Sequence, residues 1–168
     1  MWHIALHAPF FMTVTFRPTT PEDDAFLFQV YISSREAEFQ HLNWTQLEKE
    51  AFLYTQFLAQ RADYRRRFPG ADYAMVLFRQ VPVGYLYVAR SDVEIRALDI
   101  AVLPERRNEG IGSEVLHLLM AEARQKGQPL SYMVMRFNQD ALRLYQRLGF
   151  QIAGEYGSHY LLQYRPPV

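Results

Sequence analysis

The chain has 168 residues, 49% hydrophobic and 15% aromatic, enough apolar material for the core of one domain and far from a disordered composition. Its 18 Lys and Arg balance 18 Asp and Glu, without the basic excess expected of a nucleic-acid binder. With no cysteine, a disulfide framework, a thiolate metal site and a Cys nucleophile are all excluded.

The opening MWHIALHAPFFMTVTF is apolar but lacks a basic n-region and a small-residue cleavage site, so it does not read as a signal peptide. No apolar run reaches the roughly 18 residues that a membrane span requires. A soluble cytoplasmic protein without a membrane partner is the expectation. Residues 1–11 form either an extension ahead of an alternative start at Met12 or an extra edge strand, and 12–168 read as one domain.

VTFRPTT (14–20) predicts a strand and a polar turn. Pro21 then opens a helix whose first turn is acidic (Glu22, Asp23, Asp24) and which runs to about Phe39 through Phe26, Val30 and Ala37. A longer helix follows from Thr45 to Phe68, with an apolar stripe of Leu47, Ala51, Tyr54 and Leu58 and a Pro-Gly stop at 69–70. YAMVLFR (73–79), VGYLYVAR (83–90) and VEIRALDIAVL (93–103) predict three strands in a meander. A glycine-containing turn leads into a helix over 111–126, with Ile111, Val115, Leu119 and Ala123 on one face. LSYMVM (130–135) predicts a strand, and DALRLYQRL (140–148) a helix closed by Gly149. FQIAGE and HYLLQYR supply two last strands. The pattern is mixed α/β with one sheet.

The junction LPERRNEGIGSEVLHLL (103–119) carries the chemistry. Where a strand turns into a helix over small residues, unpaired backbone N–H groups sit at the positive end of the helix dipole and form an anion site. Gly110 and Gly112 permit close approach of a diphosphate, and Arg107 adds charge. A P-loop is excluded because no Lys-Ser/Thr follows the second glycine, and a Rossmann fingerprint because position 115 is Val115. A plain tight turn remains the alternative on the glycines alone.

Arg107-Asn108-Glu109-Gly110-Ile111-Gly112 resembles the R/Q-x-x-G-x-G/A signature of GNAT acetyltransferases, and IAVLPERR resembles the strand and turn that precede it. Asn138, Ala141 and LYQRLGF (144–150) resemble the family's N-x-x-A-x-x-L-Y-x-x-x-G-F ending, and TFRPTTPEDD its usual beginning. The likeness covers about 14–168. It implies an α/β (α+β) GNAT fold: a mixed, mostly antiparallel central sheet of about six to seven strands, splayed at its centre and flanked by about four helices. It further implies an acetyl-CoA-dependent N-acetyltransferase that uses acetyl-CoA as co-substrate, needs no metal, and transfers directly to an amine acceptor in a ternary complex.

Carried onto this sequence, the family's pantetheine arm lies between the splayed strands. Ile100, Ala101 and Val102 offer it main-chain groups, with an amide near Val102 acting as an oxyanion donor. Arg107, Asn108, Glu109, Gly110, Ile111, Gly112 and Ser113 surround the pyrophosphate. Asn138 bonds the pantetheine arm or caps its helix, and the two roles are compatible. Tyr145, seven residues and two helical turns beyond Asn138, shares its face. By resemblance it protonates the departing thiolate; read alone, it is a core aromatic.

The base is less defined. Relatives carry Glu on the strand before Asn138, where this chain reads Tyr132-Met133-Val134-Met135. Glu94 and Asp99 remain on the earlier strand, and their odd separation predicts opposite faces, so that at most one enters the cleft. Glu94 is the expected base, acting through water, with a solvent-facing strand charge as its alternative. The missing carboxylate also motivates a second reading, a CoA-binding sensor or interaction module without catalysis. A third is an enzyme using a longer acyl-CoA.

RADYRRR (61–67) reads as a solvated basic helix end. His3, His7, His41, His117 and His159 have no metal-ligand spacing, so no metal is expected. Trp44, Tyr54, Tyr85, Tyr87 and Tyr160 line either a core or an acceptor pocket, and Glu36, Phe39 and Tyr160 are acceptor-side candidates. Exposed edge strands and the apolar N-terminus are compatible with a homodimer. The acceptor's identity is not written in these motifs.

Overall fold

The computed structural model describes residues 14–167. The expectations for residues 1–11 lie outside the described residues. In chain order the elements are β1 (Val14–Pro18), α1 (Asp24–Arg35), α2 (Gln46–Arg67), β2 (Asp72–Phe78), β3 (Val81–Arg90), β4 (Ile95–Val102), α3 (Ile111–Lys126), β5 (Leu130–Met135), α4 (Gln139–Arg147), β6 (Gln151–Tyr156) and β7 (His159–Tyr164). One sheet of 7 strands runs β1-β2-β3-β4-β5-β7-β6. Every neighbouring pair is antiparallel except β4–β5.

Alternating apolar residues bury both faces of the central strands. One face, with Val76, Leu86 and Ile95, packs against Ile111, Val115, Leu119 and Ala123, the predicted stripe of α3. The other, with Met75, Tyr85 and Tyr87, packs against Leu27 and Val30 of α1 and Leu53 and Phe57 of α2. Helix ends follow the sequence signals. Thr45 and Glu48 form a capping box at the start of α2. The dipole-favoured arginines at its end are exposed, with Arg66 and Arg67 bonded to Asp63 at 2.7 and 3.2 Å.

Two expectations need correction. The first helix ends at Arg35 and continues as a 3-10 turn over Glu36–Phe39. The stripe Leu47, Ala51, Tyr54 and Leu58 of α2 faces outward, Leu47 being 77% exposed, while Leu53 and Phe57 meet the sheet. The helix carries two apolar stripes about a third of a turn apart, and periodicity does not say which one docks. Contacts decide it: Phe57 packs on Phe28 and Tyr31 at 5.4 and 5.3 Å, and the Tyr64 hydroxyl donates to the Leu98 carbonyl at 3.0 Å.

A β-bulge shapes β4. Tyr87 pairs with Asp99 and Val88 with Ala97, so Leu98 is the extra residue. A single inserted residue reverses the alternation beyond it. Ile95 and Ala97 accordingly join the α3 core, whereas Ala101 and Leu103 join the α1/α2 core. On β3, Gly84 permits the close approach of β4, since a Cβ there would stand 2.1 Å from the Ala101 carbonyl oxygen. Gly84→Ala is expected to destabilise the fold by about 3 kcal/mol, because the clash is with backbone that cannot rotate away. Urea unfolding measures this, and an unshifted midpoint contradicts the close packing of β3 on β4.

Candidate active site

The parallel pairing of β4 and β5 is short. It holds only Ile95 to Leu130, Arg96 to Ser131 and Ala97 to Tyr132. Beyond it β4 stays with β3 as far as Val102, and β5 stays with β7 as far as Met135. The inner edges of residues 98–102 and 133–135 are therefore left without ladder partners across the gap. The bulge at Leu98 lies where the strands part, as a bulge that bends its strand should.

The glycine junction closes one end of this opening. After a 3-10 turn at Pro104–Arg106 the backbone turns through Asn108 (φ 62°) and Gly110 (φ 81°) into α3. Gly110 is the N-cap and no side chain caps the helix. The first helical turn is closed by the Glu114 amide on the Gly110 carbonyl at 2.9 Å, and the amides of Ile111, Gly112 and Ser113 precede that bond. Gly110 is required by its positive φ. Gly112 is different: a Cβ there would meet nothing within 4 Å, although glycine inside a helix costs about 1 kcal/mol relative to alanine. Nothing among the described residues accounts for it. Arg107 ties the site together, donating to the carbonyls of Val102 (3.1 Å) and Ser33 (3.3 Å). The Glu109 side chain pairs with Arg106 at 3.0 Å.

Where the strands part, a cavity of about 230 Å³ opens toward α1 and α2, with Ile100, Asn138 and Asp99 in its lining. Asp99 is buried. The Tyr85 hydroxyl donates to it at 3.0 Å and the Arg35 guanidinium stands 4.0 Å away. Arg35 lies 3.8 Å over the Tyr31 ring. In its satisfied orientation the Gln60 amide donates to Asp99 at 3.3 Å and accepts from Arg35 at 3.0 Å. Burial pushes the Asp99 carboxyl above its ordinary value, opposed by Arg35 and by the Tyr85 hydrogen bond.

Tyr145 is 5% exposed and stands behind the cavity wall, its ring 5.1 Å from Tyr132 and 5.3 Å from Phe150. Burial, and then the charge and hydroxyl of Tyr132, hold its phenol well above the ordinary range. Tyr132 lines the cavity and is also raised, by burial first. The Asn138 Oδ1 accepts from the Ala141 amide at 3.1 Å, and the residue also borders the cavity, so the capping role and a place beside the gap coexist.

Glu94 is placed elsewhere. It precedes β4 at the paired end, accepting from Ser131 at 2.7 Å and meeting Arg96 at 2.9 Å, beside Arg67 and Phe68 of the α2 terminus. Only one of the two carboxylates reaches the cavity, and it is Asp99. The reasoning from parity fails because the bulge intervenes: Glu94 and Asp99 both lie on the α1/α2 face, at opposite ends of the strand. Among the other candidates, Phe39 stacks on Trp44 at 6.2 Å, Tyr160 lies under Arg136 at 4.9 Å, and Glu36 is exposed away from the cavity. Tyr85 and Tyr87 are core residues, stacked at 4.6 Å. Sequence reading missed Arg35, Glu38, Gln60 and His159, all cavity residues. Only the position of Arg35 and Glu38 at a helix end facing the sheet hinted at them. Among the described residues no group of three or more His, Asp or Glu could hold a metal, and no helix is long and apolar enough to cross a membrane.

The architecture defines a class: a mixed sheet opened between two parallel strands, with a helix start that no side chain caps at one end of the opening. A sequence profile of the Acetyltransferase (GNAT) family matches residues 32–150. The chain belongs to that family. Among solved structures it is similar to the PaiA N-acetyltransferase of Thermoplasma acidophilum in complex with coenzyme A, with 16% identity, TM-score 0.68, and coverage of 92% of this chain and 99% of that one. Ard1 from Thermoplasma volcanium matches with 21% identity and TM-score 0.63 over 94% of this chain and 100% of its own. Arabidopsis thaliana Naa50, in complex with the bisubstrate analogue CoA-Ac-MVNAL, matches with 14% identity and TM-score 0.55 over 91% and 99%. No curated protein matches the chain.

Proposed function

We propose that the protein is an acetyl-CoA-dependent N-acetyltransferase that moves the acetyl group directly to an amine bound in the cavity. The observation that carries this reading is Gly112: a helical glycine without a packing or conformational reason among the described residues, at a helix start with no side-chain cap beside a sheet that parts. In this reading the amides of 108–113 hold the diphosphate. Main-chain groups of Ile100, Ala101 and Val102 border the pantetheine arm, with an amide near Val102 directed at the thioester oxygen. Asn138 stands on the opposite side of the gap.

The amine nitrogen attacks the thioester carbonyl carbon as the carbon–sulfur bond breaks. Asp99 takes the amine's proton and passes it to solvent. Tyr145 gives its proton to the leaving thiolate and regains one from solvent, leaving an amide and free CoA thiol. Asp99 replaces Glu94 as the proposed base because it lines the cavity at the parting of the strands, where Glu94 does not reach. It also supplies what residues 132–135 lack, which favours turnover over a silent CoA-binding module. Longer acyl-CoA donors are distinguished by comparing donors in the same assay.

Isothermal titration of acetyl-CoA is expected to give saturable binding. Gly112→Trp should weaken it at least tenfold, about 1.4 kcal/mol, by filling the space against the diphosphate. Equal affinity of wild type and variant contradicts the loop's role.

A further inference from the structure

The electrostatics of the acceptor cavity go beyond naming an amine. Two carboxylates and one arginine border it: Asp99, Glu38 and Arg35. Arg35 is committed, stacked on Tyr31, bonded to Ser34 at 3.1 Å and set against Asp99. The arginines nearby are committed as well. Arg107 holds the Val102 and Ser33 carbonyls, while Arg136 covers Tyr160 and lies 3.4 Å from Glu155. Glu38 is the exception. It extends from the 3-10 turn after α1, and among the described residues no side chain forms an ion pair or hydrogen bond with it. Only the more distant Arg35 and His159 act on its charge. The cavity thus holds one balanced carboxylate at the parting of the strands and one unbalanced carboxylate at the helix end. Among the described residues that line it, the one arginine is already committed and His159 bonds Ser158 at 3.1 Å, so neither is set to receive a substrate carboxylate.

We infer that the acceptor carries a second cationic centre, and that Glu38 is the residue that reads it. The inference rests on the acetyl-transfer reading of the same site. A compact aliphatic diamine fits this arrangement: one nitrogen is presented to the thioester beside Asp99, while the other remains an ammonium facing Glu38. An acceptor with a carboxylate in place of the second amine would set like charges together, which costs binding and excludes wrong partners. A plain monoamine lacks the contact without suffering the repulsion. The order of preference follows as diamine, monoamine, amino acid.

The test uses acceptors matched in length: 1,4-diaminobutane, butylamine and 4-aminobutyrate, extended to diamines one carbon shorter and longer, with CoA thiol release followed on the full chain. A diamine is expected to exceed its monoamine in kcat/KM roughly tenfold, the scale of one charge-assisted hydrogen bond, with the amino acid slowest. Glu38→Gln should bring the diamine-to-monoamine ratio close to one. Glu38→Lys should raise the amino acid above the diamine. Glu38 is exposed, so neither variant threatens the fold.

Equal use of all three acceptors overturns the inference, as does a diamine preference that survives both substitutions. Silence toward every diamine while acetyl-CoA still binds overturns it too. Loss of acetyl-CoA binding in calorimetry on the same wild-type preparation is a different failure, that of the acetyl-transfer reading itself.

Discussion

Tyr145→Phe binds acetyl-CoA with wild-type affinity and turns over about a hundredfold to a thousandfold more slowly, the range of a lost general acid. The substitution removes one oxygen and keeps the ring that packs between Tyr132 and Phe150. The core is therefore retained and the effect should fall on kcat. Because burial holds the phenol well above its ordinary value, the proposed reaction uses Tyr145 as a donor and not as a base. Single-turnover kinetics with acetyl-CoA preloaded measures the chemical step. A variant as fast as wild type removes Tyr145 from the reaction and leaves it a core residue.

Asp99→Asn has the second large effect. As the base, Asp99 must be ionised before attack, and burial raises its carboxyl above the usual carboxylate range. In the wild type kcat/KM should climb with pH as that raised group loses its proton, and fall away on the acid side where it regains it. The asparagine variant should lose about a hundredfold in kcat/KM together with this acid limb. Glu94→Gln is the informative comparison. That carboxylate is bonded to Ser131 and Arg96 away from the cavity, so its removal leaves the profile in place. An acid limb that persists in Asp99→Asn and vanishes in Glu94→Gln reverses the assignment.

Much of the fold was legible because its signals are local. The span of α3 follows from its glycines and its four-residue apolar spacing, and α2 is bounded by Thr45, Glu48 and Pro69. What failed depended on contacts between elements. The outward stripe of α2 looks as buried as the inner one until the sheet selects Leu53 and Phe57. The bulge at Leu98 has no residue signature, since neither glycine nor proline marks it, yet it reverses alternation along β4 and turns Asp99 toward the cavity. Arg35, Gln60 and His159 come from three distant segments, and no spacing rule joins them. The glycine loop is one continuous stretch of motif and could be read as a strand-to-helix turn. The cavity lining is assembled in space and could not.

The most direct measurement is a crystal structure of the acetyl-CoA complex. The account predicts the diphosphate on the amides of Ile111, Gly112 and Ser113, the pantetheine arm between Ile100–Val102 and the 133–135 edge, and the sulfur within reach of the Tyr145 hydroxyl. A ligand bound elsewhere, or a closed gap between β4 and β5 with the ligand outside it, contradicts the account.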